Sequence, residues 1–146
     1  MRQPRFWSKT LMAAALLALP ALVVAGDVSG DWSYEASESW NKGPCPMGKA
    51  GSGKIEMTQD GNEVTLVFVS GRKCSPKSMC TFEGTLSGEK LVVSNAAKVD
   101  DEGGAVKNEI TLTFTGADSA SGTSESSYTH PGGMECHWGS KVALTR

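Results

Sequence analysis

The chain has 146 residues, with 14 Lys or Arg against 16 Asp or Glu and a net charge of −2. That length suits one domain with a modest core, and the charge excludes the basic footprint of a nucleic-acid-binding protein. There is no P-loop, no Gly-x-Gly-x-x-Gly after a strand and no His-Glu-x-x-His, which removes the commonest nucleotide-binding and zinc-hydrolase readings.

Residues 1–25 have the grammar of a secretory signal peptide. Arg2, Arg5 and Lys9 form a positive start, Leu11 to Val24 is apolar, and Val23-Val24-Ala25 offers small residues before Gly26. The apolar run is shorter than the roughly 20 residues a membrane-spanning helix needs. No Cys follows it at once, so a lipoprotein anchor is not indicated. The expectation is a single domain over 26–146, periplasmic or secreted, with no membrane insertion after cleavage. Cleavage removes three basic residues and no acidic one, so the remaining chain is more acidic still.

Beyond the leader, period-two alternation of apolar residues recurs and helical spacing is absent. Ile110-Leu112-Phe114 alternates with Thr111, Thr113 and Thr115, and Val64-Leu66-Phe68 and Phe82-Gly84-Leu86 repeat the pattern. The reading is eight strands, at about 28–36, 53–59, 63–70, 80–86, 90–98, 107–116, 120–128 and 136–145. Asp60-Gly61, Ser87-Gly88 and the Gly116–Ser119 stretch are tight-turn signals. The other four links are longer and carry Pro, Gly and Cys. In an up-and-down meander, alternate loops share an end. The tight turns would therefore close one end and the long loops would rim the other. The predicted fold is all-β, a small antiparallel up-and-down β-barrel of about eight strands.

Alternation assigns an inward set: Trp32, Tyr34, Ile55, Met57, Val64, Leu66, Phe68, Phe82, Leu86, Leu91, Val93, Ile110, Leu112, Phe114, Trp138, Val142 and Leu144. The strand at 120–128 is poor in large residues, and its Gly122 marks a bend or a close backbone approach. The outward set is mostly Thr, Ser, Glu and Lys, unlike the apolar exterior of an outer-membrane barrel.

Gly30-Asp31-Trp32 opens the first strand, and Leu144-Thr145-Arg146 ends the last. With the strand and loop rhythm, this resembles the lipocalin and avidin (calycin) superfamily of small barrels. The resemblance implies that Arg146 covers Trp32 as a structural latch at the tight-turn end. The chain is shorter than most lipocalins, which implies a small or filled interior.

Cys45, Cys74, Cys80 and Cys136 all fall on the long-loop end, and an even count in an exported chain points to disulfides. The favoured pairing is Cys74 with Cys80, inside one loop, and Cys45 with Cys136, tying the first loop to the last strand. Cys45–Cys74 with Cys80–Cys136 is the alternative. The same rim gathers Trp40, Tyr128, His130 and Trp138, which are the candidate ligand contacts. Met47, Met79, Met134 and His137 also lie there, but His130-x6-His137 is no recognised metal-ligand spacing, so no metal or other cofactor is expected. Asp100-Asp101-Glu102 lacks EF-hand spacing and reads as a solvated turn. No Gly-x-Ser-x-Gly elbow accompanies the histidines, and the carboxylates alternate outward, so an enzyme is not expected. Two functions remain. One is a binding module for an apolar or aromatic small ligand at the open end. The other is a filled barrel that binds a protein or glycan through its loops or outer face. Oligomeric state is not legible in the sequence.

Overall fold

The computed structural model describes residues 26–46 and 51–146, so the expected signal peptide at 1–25 lies outside the described residues. Eight strands follow one another: β1 (Gly30–Lys42), β2 (Ser52–Asp60), β3 (Glu63–Phe68), β4 (Thr81–Ser87), β5 (Lys90–Lys98), β6 (Ala105–Phe114), β7 (Ser119–Thr129) and β8 (Glu135–Thr145). Each pairs antiparallel with its neighbour in sequence, and β8 pairs with β1. The result is a closed barrel, which leaves no strand edge with unpaired backbone groups.

The turns follow from local chemistry. Gly61 and Gly88 sit at φ +60° in the two-residue hairpins β2–β3 and β4–β5, a conformation that glycine adopts without steric cost. In β7, a side chain at Gly122 would run into the Thr111 carbonyl of β6. Glycine is therefore a packing requirement there, and the thin strand closes tightly on its neighbour.

The inward series meets in one core from Val28 and Trp32 to Val142 and Leu144. Two expected members differ. Phe68 is only partly buried against this core, and Trp138 is half-buried, because both face a hollow at the long-loop end. Ala120 joins the core, and Met79 is buried by the short 3-10 helix at Lys77–Cys80.

Polar residues also enter the interior. Asn95 continues the inward series of Leu91 and Val93, Asn108 precedes Ile110 and Leu112, and Ser126 lies beside them on β7. Ser126 Oγ donates to Asn108 Oδ1, and Asn108 Nδ2 donates to Asn95 Oδ1 at 2.8 Å. Asn95 Nδ2 then donates to the carbonyls of Met79 and Thr81 at 2.9 and 3.0 Å. Among the described residues no buried side-chain polar atom is left without a partner. The belt is thus affordable in a low-dielectric interior, where an unmade hydrogen bond is costly.

The tight-turn end is closed by Arg146 lying over Trp32. The Arg146 guanidinium lies 4.4 Å from the Trp32 ring centroid. Its Nε donates to Ala117 O at 2.8 Å, Nη1 to Ser29 O at 2.9 Å and Nη2 to Asp27 O at 3.3 Å, with the Asp118 carboxylate 3.6 Å away. Beneath it, Trp32 packs edge-on to Phe114 at 5.6 Å, and its indole N–H donates to Val28 O.

Candidate functional site

The long-loop end is built differently. Two disulfides hold it, Cys45–Cys136 and Cys74–Cys80, the favoured pairing. After β3 the chain bends back on β2: Val69 N and Ser70 N both donate to Lys54 O, at 2.8 and 3.2 Å. Gly71 takes φ +80°, and a Cβ there would collide with Ser52 O. This glycine crossing turns the next side chain, Arg72, inward over the barrel mouth, and the Cys74–Cys80 bridge closes the loop behind it.

The Arg72 guanidinium carbon lies 5.1 Å from the Phe68 centroid and 5.3 Å from that of Phe82. Phe68 in turn packs edge-on to Tyr34 at 4.9 Å. Among the described residues Arg72 makes no hydrogen bond and no ion pair. Segments 1–25 and 47–50 contain no Asp or Glu, so they supply no carboxylate either. Burial pushes the guanidinium below its ordinary value, opposed by its electrostatic attraction to the Tyr34 oxygen, and the Tyr34 phenol is itself raised by burial. Arg remains charged nonetheless. A cation–π contact contributes about 0.5–2 kcal/mol, and the half-buried guanidinium keeps access to water at the mouth, since no fully buried side-chain polar atom among the described residues lacks a partner. Arg72 thus presents N–H donors at the mouth that no acceptor among the described residues uses.

Below Arg72 is a cavity of about 210 Å³ that opens at this end. Tyr34, Phe68, Ile110, Trp138 and Val142 give it apolar walls, and Ser39, Ser124, Ser126 and Ser140 add hydroxyls among them. Among the described residues it is a hollow with mixed walls and one cation, where the sequence suggested a site for an apolar or aromatic ligand contacted by Trp40, Tyr128, His130 and Trp138.

Of the four expected contact residues, only Trp138 lines this cavity. Trp40 does not, because β1 runs six residues further than expected and its register with β8 slips between Ser37 and Trp40, at Glu38 with φ +47°. Such a bulge reverses which face the following residues occupy. Trp40 pairs with Gly139 and lies over it on the outer wall, 45% exposed. It borders an external hollow with Lys107, Glu109, Glu125, Ser127 and His137. Tyr128 and His130 are engaged in the rim. Tyr128 Oη donates to Asp100 Oδ2 at 2.7 Å, and His130 Nε2 meets Glu102 Oε2 at 2.6 Å. Gly104 N also donates to Asp100, at 2.6 Å. The acidic turn is thus a latch between the β5–β6 loop and the end of β7. The two hydrogen bonds hold the Asp100 carboxyl below its ordinary range, and the Asp100 bond raises the Tyr128 phenol.

Sequence reasoning missed Arg72, Asn95, Asn108 and Ser126. The polar belt was readable, since each member sits at an inward position of a strand already identified. Arg72 lies in a loop of basic and glycine residues, where alternation carries no signal. No family model, curated protein or solved structure matches the chain.

Proposed function

We propose that the protein is an exported binding module that holds a small ligand inside the barrel at its loop-rimmed end. The observation that carries this is the cavity of about 210 Å³ walled by Tyr34, Phe68 and Trp138. Ligand sites are mostly apolar concavities with a few placed polar groups, and this one has that composition within a frame stapled by two disulfides. Disulfides of this kind belong to oxidising compartments, which supports export. Trp138 provides the test. Apolar probes should change its fluorescence and raise Tm, and Trp138→Phe should remove the optical response while retaining the thermal one. A broad screen of small apolar and aromatic compounds with neither response would end this reading.

A second reading, attachment of a protein or glycan to the outer wall, is favoured by Trp40 lying exposed over Gly139. Trp40→Ala separates the two. It should leave binding inside the barrel unchanged and abolish any attachment to the outer face.

A further inference from the structure

Resting on the binding reading above, we infer that the ligand is a monoanion: a small aromatic or short-chain carboxylic acid whose carboxylate pairs with Arg72 and whose apolar body lies against Phe68, Trp138 and Val142. Four observations support the assignment. Arg72 is the cation at the cavity, and no side chain of this protein neutralises it: none of the described residues pairs with it, and segments 1–25 and 47–50 hold no acidic residue. Its carbon lies over the rings of Phe68 and Phe82, which offer no oxygen acceptor. The N–H donors, unused by any acceptor among the described residues, are left for a planar acceptor, and a carboxylate matches that fork with two parallel hydrogen bonds.

Among the described residues Arg72 is the one cation lining the cavity, so a monoanion is matched charge for charge and a dianion such as a phosphate monoester is not. The hydroxyls of Ser39, Ser124 and Ser140, which also line the cavity, offer further donors to the anion without adding charge. Size gives the last restriction. An engineered cavity of about 150 Å³ takes one benzene, and drug-sized ligands occupy about 300–1,000 Å³. The 210 Å³ here fits a single ring or a short chain with its carboxylate. Long-chain lipids are excluded on the same ground.

The loop architecture makes Arg72 a fixed anchor. Gly71 can be replaced by no residue with a Cβ without striking Ser52 O, and the Cys74–Cys80 bridge confines the segment from the other side. A pre-positioned fork loses little freedom when it binds, which favours recognition.

The experiment compares phenylacetate with its uncharged isostere phenylacetamide, by calorimetry and Trp fluorescence, on the purified oxidised protein. Phenylacetate should bind about tenfold or more tightly than the amide, as expected of a hydrogen bond to a charged group. Arg72→Met should remove that preference, weakening the acid by about tenfold or more and leaving the amide within about threefold. Arg72→Lys, which keeps the charge and loses the fork, should fall between the two, and it serves should the Met variant fail to fold. Affinity for the acid should drop below about pH 4 as the ligand carboxyl protonates. Equal binding of acid and amide, or acid binding indifferent to both substitutions, overturns the anion assignment and leaves the cavity reading standing. No binding of acid, amide or any neutral aromatic probe overturns both.

Discussion

Each end of the barrel lays an arginine across aromatic rings, and the two are used in opposite ways. Arg146 covers Trp32 and spends its donors on three backbone carbonyls, with Asp118 beside it. Arg72 covers Phe68 and Phe82, and its donors meet no protein acceptor among the described residues. The aromatic contact is alike in the two, so it cannot be what distinguishes a structural arginine from a binding one. The difference lies in the hydrogen bonds and in what is underneath. At the tight-turn end Trp32 is 1% exposed and packed on Phe114. At the loop end half-buried Trp138 faces a hollow.

The largest expected effect tests what frames the open end. The Cys45–Cys136 bridge closes a separation of 91 residues and Cys74–Cys80 one of 6. Loop-closure entropy assigns them about 4.6 and about 2.2 kcal/mol. Urea denaturation of the two double-alanine variants should show that order, and equal losses would mean that strain or residual unfolded structure dominates.

Next comes the packing contrast. Trp32→Ala should lower stability by about 3–5 kcal/mol, because a closed core cannot refill the space. Trp138→Ala should cost less than half as much, since it enlarges a hollow that already exists. Comparable losses would indicate that the open end is as tightly filled as the closed one.

The arginines should differ in sign. Arg146→Ala should lower stability by about 1–2 kcal/mol, with a coupling to Trp32 of about 0.5–2 kcal/mol in a double-mutant cycle. Arg72→Met should raise Tm of the unliganded protein, because it removes a half-buried charge that has no partner among the described residues and keeps apolar volume. A fall in Tm on Arg72→Met would return Arg72 to the structural class.

The smallest effect concerns the rim. The folded-state pKa of Asp100 is depressed, first by the Tyr128 hydroxyl and then by Gly104 N–H, with a lesser contribution from His130. A depressed carboxyl contributes stability that is present above the unfolded pKa and lost as pH falls through the folded one. Acidification below about pH 4 should therefore loosen the latch. Tyr128→Phe, which removes the largest cause, should flatten the decline of Tm over that window. Identical acid profiles for the two proteins would disconnect the latch from stability.

Much of the fold was legible because its signals are local. Alternation in Val64–Phe68 and Ile110–Phe114 needs only neighbouring residues to be read, and glycine after Asp60 or Ser87 sets a turn within a few bonds. The cysteine pairing followed from the loop rhythm, which put all four on one end. The site was harder. Trp40 was placed in the first long loop, past the predicted end of the first strand, but β1 continues through it and a bulge at Glu38 sets it on the outer wall. Tyr128 and His130 were placed near the mouth, but their partners Asp100 and Glu102 lie 28 residues away in sequence.

The sequence by itself determined the strands, most of their inward faces and the closed end, since periodicity and turn chemistry act over short range. Only the tertiary structure decided where the hollow lies and what charge it holds. Arg72 faces inward because Gly71 passes over the backbone of β2, and its aromatic supports come from the end of β3 and from β4, none of which a linear pattern can express.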